Sequence, residues 1–199
     1  MKTTASRPTT PEEIAAWLAR RVLEEITFHK SDLHVTPTQV GRSCMIKVQV
    51  HKADMPRAIG SGGLHHRALD TLIAAIGIKY AVNMRVNLVE PEVGRPERYE
   101  RFEASHNWNS EPVVALLRDI CAAVFITSAE VSAHDAADAT TNLEVTVSAR
   151  EPRKIIEPIG KALQVLFNAI GKANGRIVLL DVAIEGENTA RDLSEIMGA

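Results

Sequence analysis

The sequence predicts an α+β protein built from two copies of one small unit, and three observations predict it. Two short segments, Met45–Val50 and Leu143–Val147, alternate apolar and polar residues so that one face is aliphatic, the pattern of a strand with one buried face. Segments with apolar residues at helical spacing flank each of them. The patterns recur at an offset of about 97 to 99 residues, pairing Val48 with Val145 and Ile14 with Val113.

Taken in order, the first half opens on a helix over Glu12–Ile26. Ile14, Trp17, Leu18, Val22 and Ile26 share one face, Pro11 starts it and acids fill its first turn. A short strand follows at Asp32–Val35, then the alternating strand Met45–Val50. Lys52–Arg57, which contains Pro56, reads as a turn of helix; Ala58-Ile59 and a glycine-bearing break come next. A long amphipathic helix runs from Leu64 to about Val82, and a strand over Met84–Val89 closes the half. The second half repeats the order: a helix over Glu111–Phe125, strands at Ala129–Ala133 and Leu143–Val147, a helical turn over Arg150–Lys154, a break, a helix from Gly160 to about Ala173, and a strand over Arg176–Ile184. The polar loop His134–Thr141 is expected to be exposed.

This divides the chain into a disordered N-terminus (1–10), a first unit (11–90), a linker (91–110), a second unit (111–185) and a tail (186–199). The linker is rich in Pro, Glu, Arg and Asn, with a helical turn expected around Glu97–Ala104; Tyr99, Phe102 and Trp108 are expected to pack against a domain. The tail reads either as disorder or as a loosely docked helix from Thr189 to Met197. Because each half has its own strands and helices, each is expected to fold alone.

Composition excludes several classes. An apolar content of 45% is that of a globular chain. No apolar run approaches the ~20 residues that span a bilayer, and the N-terminus lacks the apolar stretch of a signal peptide. A cytoplasmic protein without membrane contact is therefore expected. Cys44 and Cys121 have no histidines at ligand spacing, so they predict buried thiols, not a metal site. The adjacent His65 and His66 point about 100° apart on a helix and cannot easily share an ion. No nucleophile, base and orienter stand at recognisable spacing, and no phosphate-binding G-x-x-x-x-G-K-[ST] exists. Neither an enzyme nor a cofactor is expected. The net charge is −2, yet Gly41–Val86 holds seven basic residues against two acids, a local surplus of five that leaves −7 for the rest.

The segment that carries chemistry is Ala58-Ile59-Gly60-Ser61-Gly62-Gly63-Leu64, between a short helix and a long one. Free amides at a helix start, with the helix dipole behind them, favour an oxyanion such as phosphate. Arg57 before the loop and His65, His66 and Arg67 after it add donors. Strand, short helix, Ile-Gly-Ser-Gly-Gly, long helix and closing strand together resemble the K-homology (KH) domain in its type II arrangement. The resemblance covers about residues 12–90 and, more weakly, 111–185, like two fused copies of the small bacterial KH protein. It implies two α–β–β–α–α–β units, each a three-stranded sheet packed by helices. It also implies that the loop grips the backbone of unpaired nucleotides while bases lie on an aliphatic groove. Carried over, Gly60 and Gly63 are the fixed glycines, Ser61 and Gly62 the variable pair, and Ile59 and Leu64 the groove wall. Arg57, His65 and Arg67 complete the RNA-binding set. The sequence departs from the family in having no Lys or Arg at the variable positions.

In the second half Glu157-Pro158-Ile159-Gly160 stands where the first has Gly60-Ser61-Gly62-Gly63, so that loop is expected to be degenerate. The partner implied is single-stranded RNA, with single-stranded DNA as the related ligand, for an RNA chaperone or regulator. The second unit is left for a protein partner or another copy of the chain. The alternative reading is a KH-fold interaction or self-assembly scaffold that binds no nucleic acid.

Overall fold

A computed structural model describes residues 8–89, 109–136 and 139–186. The first half is α1 (Pro11–Ile26), β1 (His34–Val40), β2 (Ser43–Gln49), α2 (Met55–Ile59), α3 (Leu64–Tyr80) and β3 (Asn83–Val89). The second is α4 (Glu111–Val124), β4 (Ala129–Asp135), β5 (Thr140–Val147), α5 (Arg153–Ala173) and β6 (Ile177–Ile184). Each half is a three-stranded sheet packed by helices, in the orders β1-β2-β3 and β4-β5-β6. The mixed α+β architecture, consistent with two KH-like units, is the one the alternation predicts.

The helix α1 starts where a capping box fixes it. Thr10 accepts the Glu13 N–H at 3.2 Å, and the Glu13 carboxylate takes the Thr10 N–H in return. Its apolar stripe, including Leu18, Val22, Leu23 and Ile26, is buried. β1 and β2 pair antiparallel, whereas β2 and β3 are parallel, as are β5 and β6. Parallel neighbours require a crossover; α2 and α3 supply it in the first half, and α5 alone does so in the second.

A device invisible in the periodicity repeats in both halves. Asp54, fully buried, accepts the N–H groups of Phe28 and His29 at 3.1 and 2.8 Å. In the second half buried Glu151 accepts those of Ile126 and Thr127 at 3.2 and 2.9 Å. Each carboxylate ties the start of the crossover helices to the end of the first helix of its unit. Glycine recurs as well. A Cβ on Gly77 would collide with the Val82 carbonyl, and one on Gly171 would come within 2.9 Å of the Arg176 carbonyl, where helix turns back into strand.

The two units are not independent bodies. α3 packs against α5, α1 touches α4 and α5, and α3 touches α4, so buried residues of both halves form one continuous core. Lys79 reaches across this junction and donates to the carbonyls of Ala122 and Phe125, both at 2.7 Å, at the C-terminal end of α4. Burial pushes its ammonium below the usual lysine range, and Glu151 partly opposes that shift. Each half keeps its own sheet while the helices of the two halves share a core.

Three element boundaries also differ. The strand expected at Asp32–Val35 begins at His34 and continues through Pro37 to Val40. β1 lies at the sheet edge, where a proline's missing N–H is tolerated. The expected exposed loop His134–Thr141 is strand at both ends, since β4 reaches Asp135 and β5 begins at Thr140, and Thr140 and Thr141 are buried. The third is the break before Gly160: α5 is one continuous helix with Pro158 inside it. Cys44 and Cys121 are buried free thiols, as expected. The readings for 1–7, the linker with Tyr99, Phe102 and Trp108, and the tail beyond 186 fall outside the described residues.

Candidate functional site

The loop begins where α2 ends. Gly60 closes α2 with φ +74°, a conformation that side chains rarely adopt, and its N–H donates to the Pro56 carbonyl at 2.9 Å. A Cβ there would lie 2.5 Å from the His65 ring. Ser61–Gly63 form a single tight turn that leads into α3, with Gly63 N–H on the Gly60 carbonyl at 3.0 Å and Leu64 N–H on the Ser61 carbonyl. The N–H groups of Ser61 and Gly62 have no hydrogen-bond partner among the described residues. No side chain caps α3, and no acid occupies its first turn. Unpaired amides and the positive end of a 17-residue helix therefore meet at one exposed point. Space around Gly62 is open to at least 4 Å.

The basic residues hold the loop as much as they charge it. His65 Nδ1 lies 2.6 Å from the Arg57 carbonyl, which can only accept, so Nδ1 carries the proton. Arg67 donates to the Gly62 carbonyl at 2.6 Å. Arg57 lies over Phe28, with its Cζ 3.8 Å from the ring centroid, and 3.9 Å from the Asp54 carboxylate. Either side of the glycines, Ile59 and Leu64 are 38% and 47% exposed, so an aliphatic side chain flanks each end of the loop. The structure thus brings Arg57, Ile59, Gly60, Ser61, Gly62, Gly63, Leu64, His65 and Arg67 together at one corner of the first unit. A surface with free amides, net positive potential and two bare aliphatic side chains suits a phosphodiester backbone with its bases.

The local surplus of basic residues does not form one patch. Lys79 is spent on the junction, and Arg85 pairs with Asp70 at 2.8 Å. Asp70 in turn accepts the Val86 N–H at 2.9 Å on the edge strand β3. Sequence reasoning missed Phe28 and Asp54, which seat Arg57; an acid just before a proline turn was the available signal.

At the matching place in the second unit no loop exists. Glu157 and Pro158 are exposed on α5, Ile159 and Gly160 are buried, and a Cβ on Gly160 would touch Val182 at 3.5 Å. Glu157 accepts from Lys161 at 2.7 Å, and that hydrogen bond holds its carboxyl below the usual range. Among the described residues no group of three or more His, Cys, Asp or Glu is placed to hold a metal ion. No helix among them is long and apolar enough to cross a membrane.

Comparison with known proteins adds a relative. No family model matches the chain. The RNA-binding protein KhpA of Listeria monocytogenes serovar 1/2a is 32% identical over 69 residues, which is 91% of that protein and 35% of this chain. The RNA-binding protein KhpA of Listeria innocua matches to the same extent. A 69-residue match fits within one unit and leaves most of the chain without a counterpart.

Proposed function

Because the chain belongs to the family of the KhpA RNA-binding proteins, which it matches over 69 residues, we propose that it binds single-stranded RNA through the Gly60–Gly63 loop. The observation that carries this reading is the pair of unpartnered amides, Ser61 and Gly62, at the uncapped start of α3 between exposed Ile59 and Leu64. In it, the two amides take phosphate oxygens, Ile59 and Leu64 lie under ribose or base, and Arg67, His65 and Arg57 keep the loop in shape while supplying positive potential. The protein acts on RNA by binding, as a chaperone or regulator in the cytoplasm, without catalysis. With α5 unbroken at the matching place, loop contact with RNA falls to the first unit.

The test is the double substitution Ser61→Asp with Gly62→Asp. Both positions are exposed, and Asp tolerates the φ of +57° at Gly62 better than most residues, so the fold persists. Two carboxylates then face the phosphates, and binding of an unstructured RNA followed by fluorescence anisotropy is lost. With two or three phosphates contacted, the wild-type log K falls against log salt with a slope of about −1.4 to −2. Undiminished affinity in a folded double variant removes the loop from the reading.

A further inference from the structure

A recess lies beside the loop, between the units. It is a cleft of about 300 Å³ lined by Ile26, Phe28, Arg57 and His65 of the first unit and by Ala169 and Lys172 of α5. Its chemistry is specific. Arg57 and Lys172 bring two positive charges from different units. Arg57 over the Phe28 ring forms a planar edge on which a base can stack. His65 turns Nδ1 to the Arg57 carbonyl, which leaves its Nε2 for a polar group of the ligand. Ile26 and Ala169 give an apolar floor. The nearby carboxylate, Asp54, is buried; its Oδ2 takes the Phe28 and His29 amides and its Oδ1 lies 3.9 Å from Arg57, so the unpaired positive charge of the cleft is that of Lys172. Lys172 is exposed and has no ion pair among the described residues. The recess has the volume of a small-ligand site.

We propose that this cleft binds a nucleotide, namely the nucleotide of the RNA strand next to those held by the Gly60–Gly63 loop. This rests on the RNA-binding reading of the loop. The argument for a strand, over a free nucleotide, is continuity. Arg57 and His65 stand at the two ends of the loop and also line the cleft, so a strand leaving the loop enters it directly. The second unit then contributes to RNA binding through the C-terminal end of α5 and not through a loop of its own.

Lys172→Glu tests this, with Lys154→Glu as control: the same charge change, 18 residues earlier on α5 and about 27 Å away along the helix. Oligoribonucleotides of about four and eight residues are titrated against the full chain by anisotropy; four is the footprint of a single loop. Lys172→Glu is expected to weaken the longer RNA at least about fivefold and to reduce its salt slope by about 0.7, the loss of one phosphate contact. The shorter RNA, and both RNAs with Lys154→Glu, should change less than about twofold. Equal effects of the two substitutions on the longer RNA overturn the proposal. So does adenosine monophosphate binding that Lys172→Glu abolishes while the longer RNA is unaffected, since the cleft then takes a free nucleotide. If Ser61→Asp/Gly62→Asp leaves the longer RNA bound and Lys172→Glu releases it, the loop reading fails and the cleft stands. If the wild type binds neither RNA, both fall.

Discussion

Replacing Asp54 with alanine should be among the most destabilising single changes in the first unit. Its side chain sits in the core with no solvent exposure, and Oδ2 gathers the Phe28 N–H at 3.1 Å, the His29 N–H at 2.8 Å and His29 Nδ1 at 2.9 Å. Its other oxygen faces Arg57 at 3.9 Å. Removing the carboxylate strands two part-buried backbone donors and frees the guanidinium that lies over Phe28. Hydrogen bonds to a charged group are each worth about 1.5–3 kcal/mol, so losing the two amide bonds is expected to cost roughly 3–6 kcal/mol. That is a large share of the 5–15 kcal/mol typical of a folded domain. Asp54→Asn keeps an acceptor and loses the charge, and should cost about half as much. Urea unfolding measures both, through a lower midpoint at unchanged slope, and amide exchange at Phe28 and His29 should accelerate. Glu151→Ala repeats the experiment in the second unit, where Ile126, Thr127 N–H and Thr127 Oγ1 lose their acceptor. A loss under about 1 kcal/mol for Asp54→Ala, with those amides still protected, would refute the assignment of Asp54 as the tie between α1 and α2.

Three further outcomes are expected. Burial raises both thiols, that of Cys121 to about 12 from a usual value near 9, so the folded thiol stays protonated where the unfolded one ionises. The unfolded state then holds fewer protons, and stability falls as pH rises between about 9 and 12 at up to about 1.4 kcal/mol per unit; Cys121→Ala should flatten that limb, and an aromatic disulfide reagent at neutral pH should react only after denaturation. Gly60→Ala must take φ +74° with its Cβ 2.5 Å from the His65 ring, and should lose roughly 1–3 kcal/mol by urea unfolding; full stability would show that the loop is soft. Pro158→Ala restores an N–H that can bond to the Lys154 carbonyl in α5, and should raise stability by about 1–3 kcal/mol; no gain would mean that this turn of the helix is already frayed.

The parts legible in the sequence were those whose periodicity matched their burial. Met45–Val50 and Leu143–Val147 alternate because Ile46, Val48, Leu143, Val145 and Val147 face the core, and the matching offset exposed the repeat. The loop was legible because its glycines break two helical patterns. β1 was misplaced because Thr36-Pro37-Thr38-Gln39 is a polar edge segment with little apolar alternation. The continuity of α5 was hidden by Pro158, which reads as a breaker. It is tolerated because it is exposed while Ile156, Ile159 and Leu163 on the buried face hold the helix down. Nothing in a local pattern could show that Lys79 ends on Ala122 and Phe125, or that Lys172 stands beside Arg57. Both follow from how the helices of the two units meet, which the sequence records only as apolar faces.

That helix junction has a consequence for symmetry. Exchanging the halves carries the α1–α5 contact onto the α4–α3 contact and leaves α3–α5 and α1–α4 unchanged, as a twofold axis would. Two identical chains meeting this way would carry two loops or none, since each substitution is copied to both sides. One continuous chain escapes that constraint: it keeps a glycine loop on one side, runs an unbroken helix on the other, and sets Lys172 against a loop it does not itself possess. Covalent connection also makes the encounter of the halves independent of protein concentration, so the asymmetric cleft survives dilution that would separate a pair of free subunits.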